Sequence, residues 1–223
     1  MSSGPSREAY AGRDVAAERP DESTAWEKLS PLALRGLLRN LGVPWWVAGG
    51  WAIDLFLGHE TRDHRDIDVA LLRRDQAGLV SRLPGWEFRY VTAHDTHAPW
   101  HGEQLALPIH GIWARRSGAP AGAWTCEFLL NEATRWEWVY RRHDAVRRPL
   151  SEIGSDRDGV PYLRPEIVLL FKSTDLSTTN EADFAAALPV LDPAARRWLA
   201  RSLDACRPGH PWRPRLGPIR RAR

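Results

Sequence analysis

The sequence contains little cysteine, little lysine and no long hydrophobic run. Cys126 and Cys206 are its only cysteines, which is too few for a disulfide framework or a four-cysteine zinc cluster. No apolar segment approaches the roughly 18 residues that a membrane-spanning helix needs. The polar N-terminus lacks the hydrophobic region of a secretory signal. We therefore expect a protein of the reducing cytoplasm that is not inserted into a membrane.

The distribution of charge argues against a nucleic-acid-binding domain. The formal net charge is +3, but the last 17 residues contain six arginines and no acid, so the preceding 206 residues carry a net charge of −3. An acidic body with a basic tail is not typical of a domain that binds nucleic acid. Lysine occurs only at Lys28 and Lys172, although 31 residues are basic.

Changes in composition predict an α+β protein with four segments. Residues 1–24 are polar and aperiodic, and we expect them to be disordered. Residues 25–150 combine helical and strand patterns, and residues 160–206 are predicted to be helical. Residues 207–223 form a basic tail rich in proline and arginine, of which we expect 213–223 to be dispensable. Strands are predicted at 45–48, 66–72, 86–91, 109–113, 124–130 and 136–140.

Capping residues and leucine periodicity predict the helices. Ser30 and Pro31 begin a helix that carries leucines at positions 34, 37, 38 and 41, where one face would be apolar. A short helix over 51–57 is expected to end at Gly58. The remaining predicted helices begin near Asp75, Pro165, Asn180 and Asp192.

Two acidic residues form the strongest local signal. Asp66 and Asp68 lie two residues apart in a predicted strand, so their carboxylates should project from the same face. Carboxylate oxygens are ligands that Mg²⁺ prefers, and a bound Mg²⁺ usually retains phosphate oxygens in its shell. The alternative interpretation is an exposed acidic strand edge.

A pair of glycines lies upstream of these acids. Gly49 and Gly50 end a predicted buried strand immediately before a predicted helix. Without a Cβ, backbone amides at such a helix N-terminus can approach a phosphate closely. The two glycines and the two aspartates together therefore favour a nucleotide site.

These motifs resemble the signature of the DNA polymerase β-like nucleotidyltransferases, and most closely the group of aminoglycoside 2″-adenylyltransferases and lincosamide nucleotidyltransferases. The resemblance spans roughly residues 45–212. It implies a minimal nucleotidyltransferase sheet with helices, followed by a helical C-terminal domain. The residues that carry it are Val47 to Asp54, Gly58, Thr61, Arg62, His64, Asp66 to Val69, Pro161 to Leu163, Pro165, Glu166, Lys172, Glu181, Asp183, Phe184, Trp198, Leu199 and Pro208 to Trp212.

The resemblance also implies a set of metal ligands. Asp66 and Asp68 would hold two Mg²⁺ ions, and a third carboxylate would complete the catalytic set. Glu127 is our first candidate, because it is a lone acid in the apolar segment 125–130. The family more often has aspartate at this position. Glu103 is the alternative third ligand, and Glu127 could instead pair with an arginine.

The nucleotide would be bound by residues on both sides of this set. The resemblance assigns Gly49, Gly50, Trp51 and Arg62 to nucleotide binding, together with Lys172, which would face the triphosphate. His64 could orient Asp66. The family's usual Lys-Asp pair is replaced by Thr179 and Asn180, which could weaken nucleotide affinity or alter the acceptor.

The implied reaction is the transfer of a nucleoside monophosphate, AMP from ATP, to a hydroxyl group of a small molecule such as an aminoglycoside-type antibiotic. This predicts an enzyme with a nucleotide and a small-molecule acceptor as partners, and with no membrane or nucleic-acid partner. Two alternatives remain open. One is a toxin-like transferase that modifies protein or RNA, and the other is a catalytically inactive nucleotide-binding module.

Overall fold

The computed structural model describes residues 25–92, 96–120 and 122–218, and the prediction for residues 1–24 lies outside this range. Within these residues ten strands form one mixed sheet, which confirms the predicted α+β class. The strands are β1 (Trp45–Val47), β2 (Asp68–Leu72), β3 (Glu87–Val91), β4 (His97–Pro99), β5 (Gly111–Arg115), β6 (Cys126–Ala133), β7 (Glu137–Val139), β8 (Arg147–Pro149), β9 (Gly154–Arg157) and β10 (Val160–Leu163).

The strand order brings together segments that are far apart in the sequence. The main path of the sheet runs β4-β3-β5-β6-β2-β1-β10-β9, and β7 and β8 extend it from β6. Two pairs are parallel, β2 with β6 and β1 with β10, and the other pairs are antiparallel. The centre of the sheet is therefore built from β6, β2 and β1, whose ends carry the predicted site residues.

Seven α-helices accompany the sheet in the described segments. They are α1 (Pro31–Leu38), α2 (Gly49–Leu57), α3 (Gly78–Arg82), α4 (Pro165–Lys172), α5 (Thr178–Ala187), α6 (Pro193–Cys206) and α7 (Trp212–Arg215). As predicted, Ser30 caps α1 by accepting a hydrogen bond from the backbone N–H of Ala33. Gly58 ends α2 with a φ of +85°, a conformation that glycine adopts without the strain of a Cβ. No helix of the described segments is long and apolar enough to cross a membrane.

One hydrophobic core joins the sheet to the C-terminal helices. Ile167, Leu169 and Leu170 make α4 apolar on most of its surface, and Leu199 and Leu203 belong to the same buried cluster on α6. Because α4 also contacts α2, it is packed among several elements and holds Lys172 at a fixed place beside the sheet.

Several predicted boundaries differ from the structure. The sheet continues through β10, so the helical segment begins at Pro165 and not at 160. A 3₁₀ turn and the five-residue α3 replace the helix predicted to begin at Asp75. The side chain of Ser177, and not that of Asn180, caps α5. These errors share a cause, because isolated capping residues do not show how far an element continues once it packs against a neighbour.

The C-terminal segment packs against the helices. The ring of Trp212 is fully buried and stacks on Phe184 with centroids 4.1 Å apart, as expected for residues 208–212. That residues 213–223 are dispensable stays a prediction, although the first of them form partly exposed ion pairs with the helices. Arg213 bonds Asp204 at 2.8 Å, and Arg215 bonds Glu181 at 2.9 Å.

Candidate active site

A cavity of about 240 Å³ lies between the centre of the sheet and helix α4. Its walls come from the turn between β1 and α2, from β2 and β6, and from α4, α5 and the segment after β7. Its polar lining includes Asp68, Lys172 and Asn180, all close to the predicted nucleotide site. Its apolar lining comes from Ala48, Ala70, Leu129, Leu130, Leu163, Val168 and Phe171.

Asp68 and Glu127 are directly opposite each other on the parallel strands β2 and β6. Burial and the nearby charge of Asp66 raise the pKa of Asp68 to about 7. Burial, followed by the charges of Asp68 and Asp66, raises the pKa of Glu127 to about 8, although a hydrogen bond from Trp113 opposes this shift. The three carboxylates therefore form one electrostatically coupled cluster. No arginine of the described segments forms an ion pair with Glu127.

The position of Asp66 differs from the prediction. Asp66 precedes β2 by two residues and lies in the loop, so the two aspartates do not share one strand. Asp66 lines a separate recess, together with Trp51 and His64. Its charge nevertheless acts on both Asp68 and Glu127. Asp66 therefore belongs to the carboxylate cluster but lies outside the wall of the cavity.

Side chains of neighbouring residues approach Gly49 and Gly50 closely at the start of α2. Gly49 has a φ of +59°, and a Cβ at this position would collide with the carboxylate of Asp68. A Cβ at Gly50 would collide with the guanidinium of Arg62 and the ring of His64. The absence of both side chains lets the acids and the helix N-terminus approach each other.

Asp183 joins the two basic residues that were predicted to bind nucleotide. Its side chain is 1% exposed and lies 2.7 Å from Nζ of Lys172 and 3.2 Å from Nε of Arg62. Burial alone would raise the pKa of Asp183, but the hydrogen bonds from Arg62 and Lys172 outweigh it and lower that pKa. Lys172 also donates to Oδ1 of Asn180 at 3.0 Å. Asn180, the departure from the family pattern, therefore helps to position Lys172.

A buried hydrogen-bonded pair supports the loop before β2. Nε2 of His64 donates to Asp54 at 2.5 Å, and the hydroxyl of Thr61 donates to the same carboxyl group at 2.6 Å. Trp51 stacks on His64 with ring centroids 4.2 Å apart. Trp51 is thus a neighbour of the cluster and does not line the cavity between the sheet and α4. Its binding of nucleotide stays a prediction.

Glu103 lies away from the cavity, on the exposed loop after β4. Its carboxylate accepts a hydrogen bond of 2.9 Å from the backbone N–H of His101, which lowers its pKa. Of the two candidates for the third carboxylate, only Glu127 lies near Asp66 and Asp68.

Sequence reasoning missed part of the site. Asp183 was recognised only as part of the resemblance, and Arg141 and Arg142, which line the cavity, were not considered. Asp183 lies in a helix, and nothing in the sequence around it indicates that it pairs with Arg62, which is 121 positions away. The Arg141-Arg142 doublet was visible, but only the fold places it at the cavity.

The donor set has the chemistry of a magnesium site. Asp66, Asp68 and Glu127 offer hard carboxylate oxygens, and their mutual repulsion would be relieved by a divalent cation. Within the described segments, no three acidic, histidine or cysteine side chains are grouped so that they could hold a metal on their own. Further ligands would therefore have to come from the substrate and water.

Comparisons with known proteins agree with this geometry. The family model for aminoglycoside-2″-adenylyltransferases matches residues 32–98. A lincosamide resistance protein from Staphylococcus haemolyticus is 42% identical over 155 residues, which are 66% of this chain and 85% of that protein. The lincomycin-bound crystal structure of the lincosamide antibiotic adenylyltransferase LnuA aligns with a TM-score of 0.50 at 16% identity, over 75% of this chain and 99% of that chain. The likeness to LnuA shows a shared fold.

Proposed function

The chain belongs to the nucleotidyltransferase family that includes this lincosamide resistance protein, and we propose that it transfers AMP from ATP to a hydroxyl group of a small-molecule antibiotic. One observation carries the proposal. Asp68 lies in the wall of a cavity, and Glu127 lies opposite it on the next parallel strand, with both pKa values raised. Such a cluster of carboxylates is suited to metal-assisted phosphoryl chemistry.

Asp66, Asp68 and Glu127 would hold Mg²⁺, as two ions in the mechanism that the resemblance implies. Phosphate oxygens of the nucleotide and water would complete the coordination, since Mg²⁺ usually retains such ligands. When bound, the metal would neutralise charge on the α-phosphoryl group and on the departing pyrophosphate.

Glu127 would also act as the general base. Without a metal, burial and the neighbouring carboxylates raise the pKa of Glu127 to about 8 and favour its protonated form. A bound Mg²⁺ would favour the carboxylate, which can take up the proton that a hydroxyl group releases on attack. The hydroxyl oxygen would form its bond to the α-phosphorus while the bond to pyrophosphate breaks. Trp113 donates a hydrogen bond that orients the carboxylate of Glu127.

The phosphate end of the nucleotide would lie against the start of α2. Gly49 and Gly50 leave the backbone there accessible, and the helix N-terminus carries a partial positive charge. Lys172 lines the same cavity and adds a positive charge that Asp183 holds in place. In this arrangement Arg62 fixes Asp183, and Trp51 stacks on His64.

The lining of the cavity favours a lincosamide-type acceptor over an aminoglycoside. Among the residues described as lining it, Asp68 alone is acidic, and metal binding would occupy that carboxylate. An aminoglycoside carries several ammonium groups and would find no carboxylates to pair with. A lincosamide combines sugar hydroxyl groups with apolar surface, which matches the leucines of the wall.

Incubation of the purified protein with Mg²⁺ and α-phosphate-labelled ATP tests the proposal. Lincosamides, aminoglycosides and a cell lysate serve as parallel acceptors. Label on a lincosamide supports the proposed reaction, and label on an aminoglycoside alone would contradict the acceptor class. Label only on protein or RNA would favour a toxin-like transferase. ATP binding without any transfer would favour an inactive nucleotide-binding module.

A further inference from the structure

Two adjacent arginines line the same cavity as the N-terminus of α2. Arg141 and Arg142 follow β7, and both are part of the cavity lining together with Asp68 and Gly49. Their guanidinium carbons lie 5.3 Å and 5.7 Å from the centroid of the Phe171 ring. Two positive charges therefore share one aromatic platform at the cavity.

Arg141 differs from other arginines in this part of the molecule because it lacks an acidic partner. Arg73 pairs with Glu132 at 2.6 Å, and Arg148 pairs with Glu166 at 2.5 Å. Within the described segments, Arg141 forms no ion pair and no hydrogen bond. Its positive charge is therefore available to a ligand.

Arg142 is also without a carboxylate partner among the described residues. It is the more exposed of the two, and its guanidinium donates only to neutral oxygens, in bonds of 3.3 to 3.5 Å. These acceptors are the backbone oxygen of Phe171 and the hydroxyl groups of Thr174 and Tyr140. They orient Arg142 without neutralising it.

The two charges repel each other in a partly buried place. Burial and the neighbouring charge of Arg142 lower the pKa of Arg141 to about 10. Arg141 also acts electrostatically on Glu127, which places it within range of the carboxylate cluster. An anion between the arginines would relieve their repulsion while remaining close to the metal ligands.

We propose that Arg141 and Arg142 bind the phosphate chain of the nucleoside triphosphate. The inference rests on the proposed function, which supplies the triphosphate. Lys172, the cation assigned to this task by the resemblance, is already paired with Asp183 at 2.7 Å. The uncompensated positive charge of the described cavity wall therefore resides on the two arginines. The planar fork of guanidinium donors is well suited to phosphate oxygens.

Calorimetric titration with Mg²⁺-tripolyphosphate and with Mg²⁺-ATP tests this site without turnover. We expect Arg141→Gln to weaken both affinities about tenfold or more, and Arg141→Lys, which keeps the charge, to recover most of the loss. Arg147→Gln is the matched control. Arg147 lies on the neighbouring β8, is exposed and pairs only weakly with Glu137 at 3.7 Å, so its replacement should leave both affinities unchanged.

A thermal denaturation scan separates binding from folding. Because the replacement of Arg141 breaks no ion pair, the Arg141→Gln variant should melt at the same temperature as the wild type or at a higher one. Unchanged tripolyphosphate affinity in Arg141→Gln would overturn the inference, as would an equal loss in Arg147→Gln. A raised KM for the acceptor with an unchanged affinity for tripolyphosphate would also overturn it, by assigning Arg141 to an anionic group of the acceptor.

The same experiments distinguish this inference from the proposed function. A wild-type protein that binds tripolyphosphate through Arg141 but labels no antibiotic would contradict the proposed function and support the anion site. A wild-type protein that labels a lincosamide while Arg141→Gln binds tripolyphosphate normally would support the function and overturn the anion site.

Discussion

Lys172 and Asp183 form an ion pair of 2.7 Å at the edge of the cavity, and the same carboxyl group also binds Arg62. Asp183 is almost completely buried, so it holds two cations in place from beneath the cavity wall. The position of Lys172 therefore depends on a residue that itself does not line the cavity.

Replacement of Asp183 by asparagine should destabilise the fold. The change leaves Lys172 and Arg62 close together without a counter-charge, and breaking a buried pair in this way costs about 3 kcal/mol. Urea denaturation measures the loss in the free energy of unfolding. Asp204→Asn is the control, because Asp204 forms an exposed pair with Arg213 that should contribute less than about 1 kcal/mol. Equal effects of the two substitutions would contradict the structural role of Asp183.

Two glycine-to-alanine substitutions should have opposite effects. Gly49→Ala places a methyl group against the carboxylate of Asp68 at a positive φ, so we expect a loss of about 1–3 kcal/mol and a marked loss of transfer. Gly36→Ala, within α1, meets no atom within 4 Å and should stabilise the protein by about 0.5–1 kcal/mol without changing transfer. Denaturation and transfer assays on both variants check this, and a fully active Gly49→Ala protein would refute the close approach.

The docking of the C-terminal segment should weaken in acid. His210 donates from Nε2 to the backbone oxygen of Ser173 at 3.0 Å, and its Nδ1 accepts the backbone N–H of Trp212 at 3.1 Å. The bond accepted by Nδ1 requires a neutral imidazole, and burial lowers the pKa of His210 below its usual value, although the bond to Ser173 opposes this shift. Below about pH 6.5 the unfolded chain therefore binds a proton more readily than the folded chain does, so stability is lost as the pH falls.

His210→Gln isolates this contribution because glutamine does not titrate. Between about pH 7.5 and about pH 5.5, the melting temperature of the wild type should fall more than that of His210→Gln. Identical pH profiles for the two proteins would rule out His210 as the titrating group.

Local signals in the sequence were sufficient for the elements around the site. Ser30 and Pro31 marked the start of α1, Gly58 marked the end of α2, and alternation placed β2 and β6 close to their observed bounds. Each of these signals acts over a few residues, where capping and periodicity determine the structure.

The parts that sequence reasoning missed depend on long-range packing. β9 is polar and largely exposed, so it lacks the alternation of a half-buried strand, and its pairing with β10 gives it order. β10 joins the sheet by pairing with β1, where Val47 is opposite Tyr162. Similarly, the isolation of Arg141 from carboxylates is a property of the folded surroundings and has no signal in the sequence.

We expect the carboxylate of Asp68 to serve metal-dependent transfer and not folding. Asp68→Asn removes a carboxyl group whose pKa is raised by burial and by Asp66, so its ionised form is unfavourable in the folded protein. The metal-free variant should therefore melt at the same temperature as the wild type or at a higher one. Asp144→Asn, on an exposed loop, is the control for the substitution itself.

The most direct test compares Mg²⁺-dependent transfer of label from α-phosphate-labelled ATP to a lincosamide by wild type, Asp68→Asn and Asp144→Asn. We predict that the wild type and Asp144→Asn transfer label at similar rates and that Asp68→Asn is at least about 100-fold slower while remaining folded. A folded Asp68→Asn protein that transfers label at the wild-type rate would contradict the account.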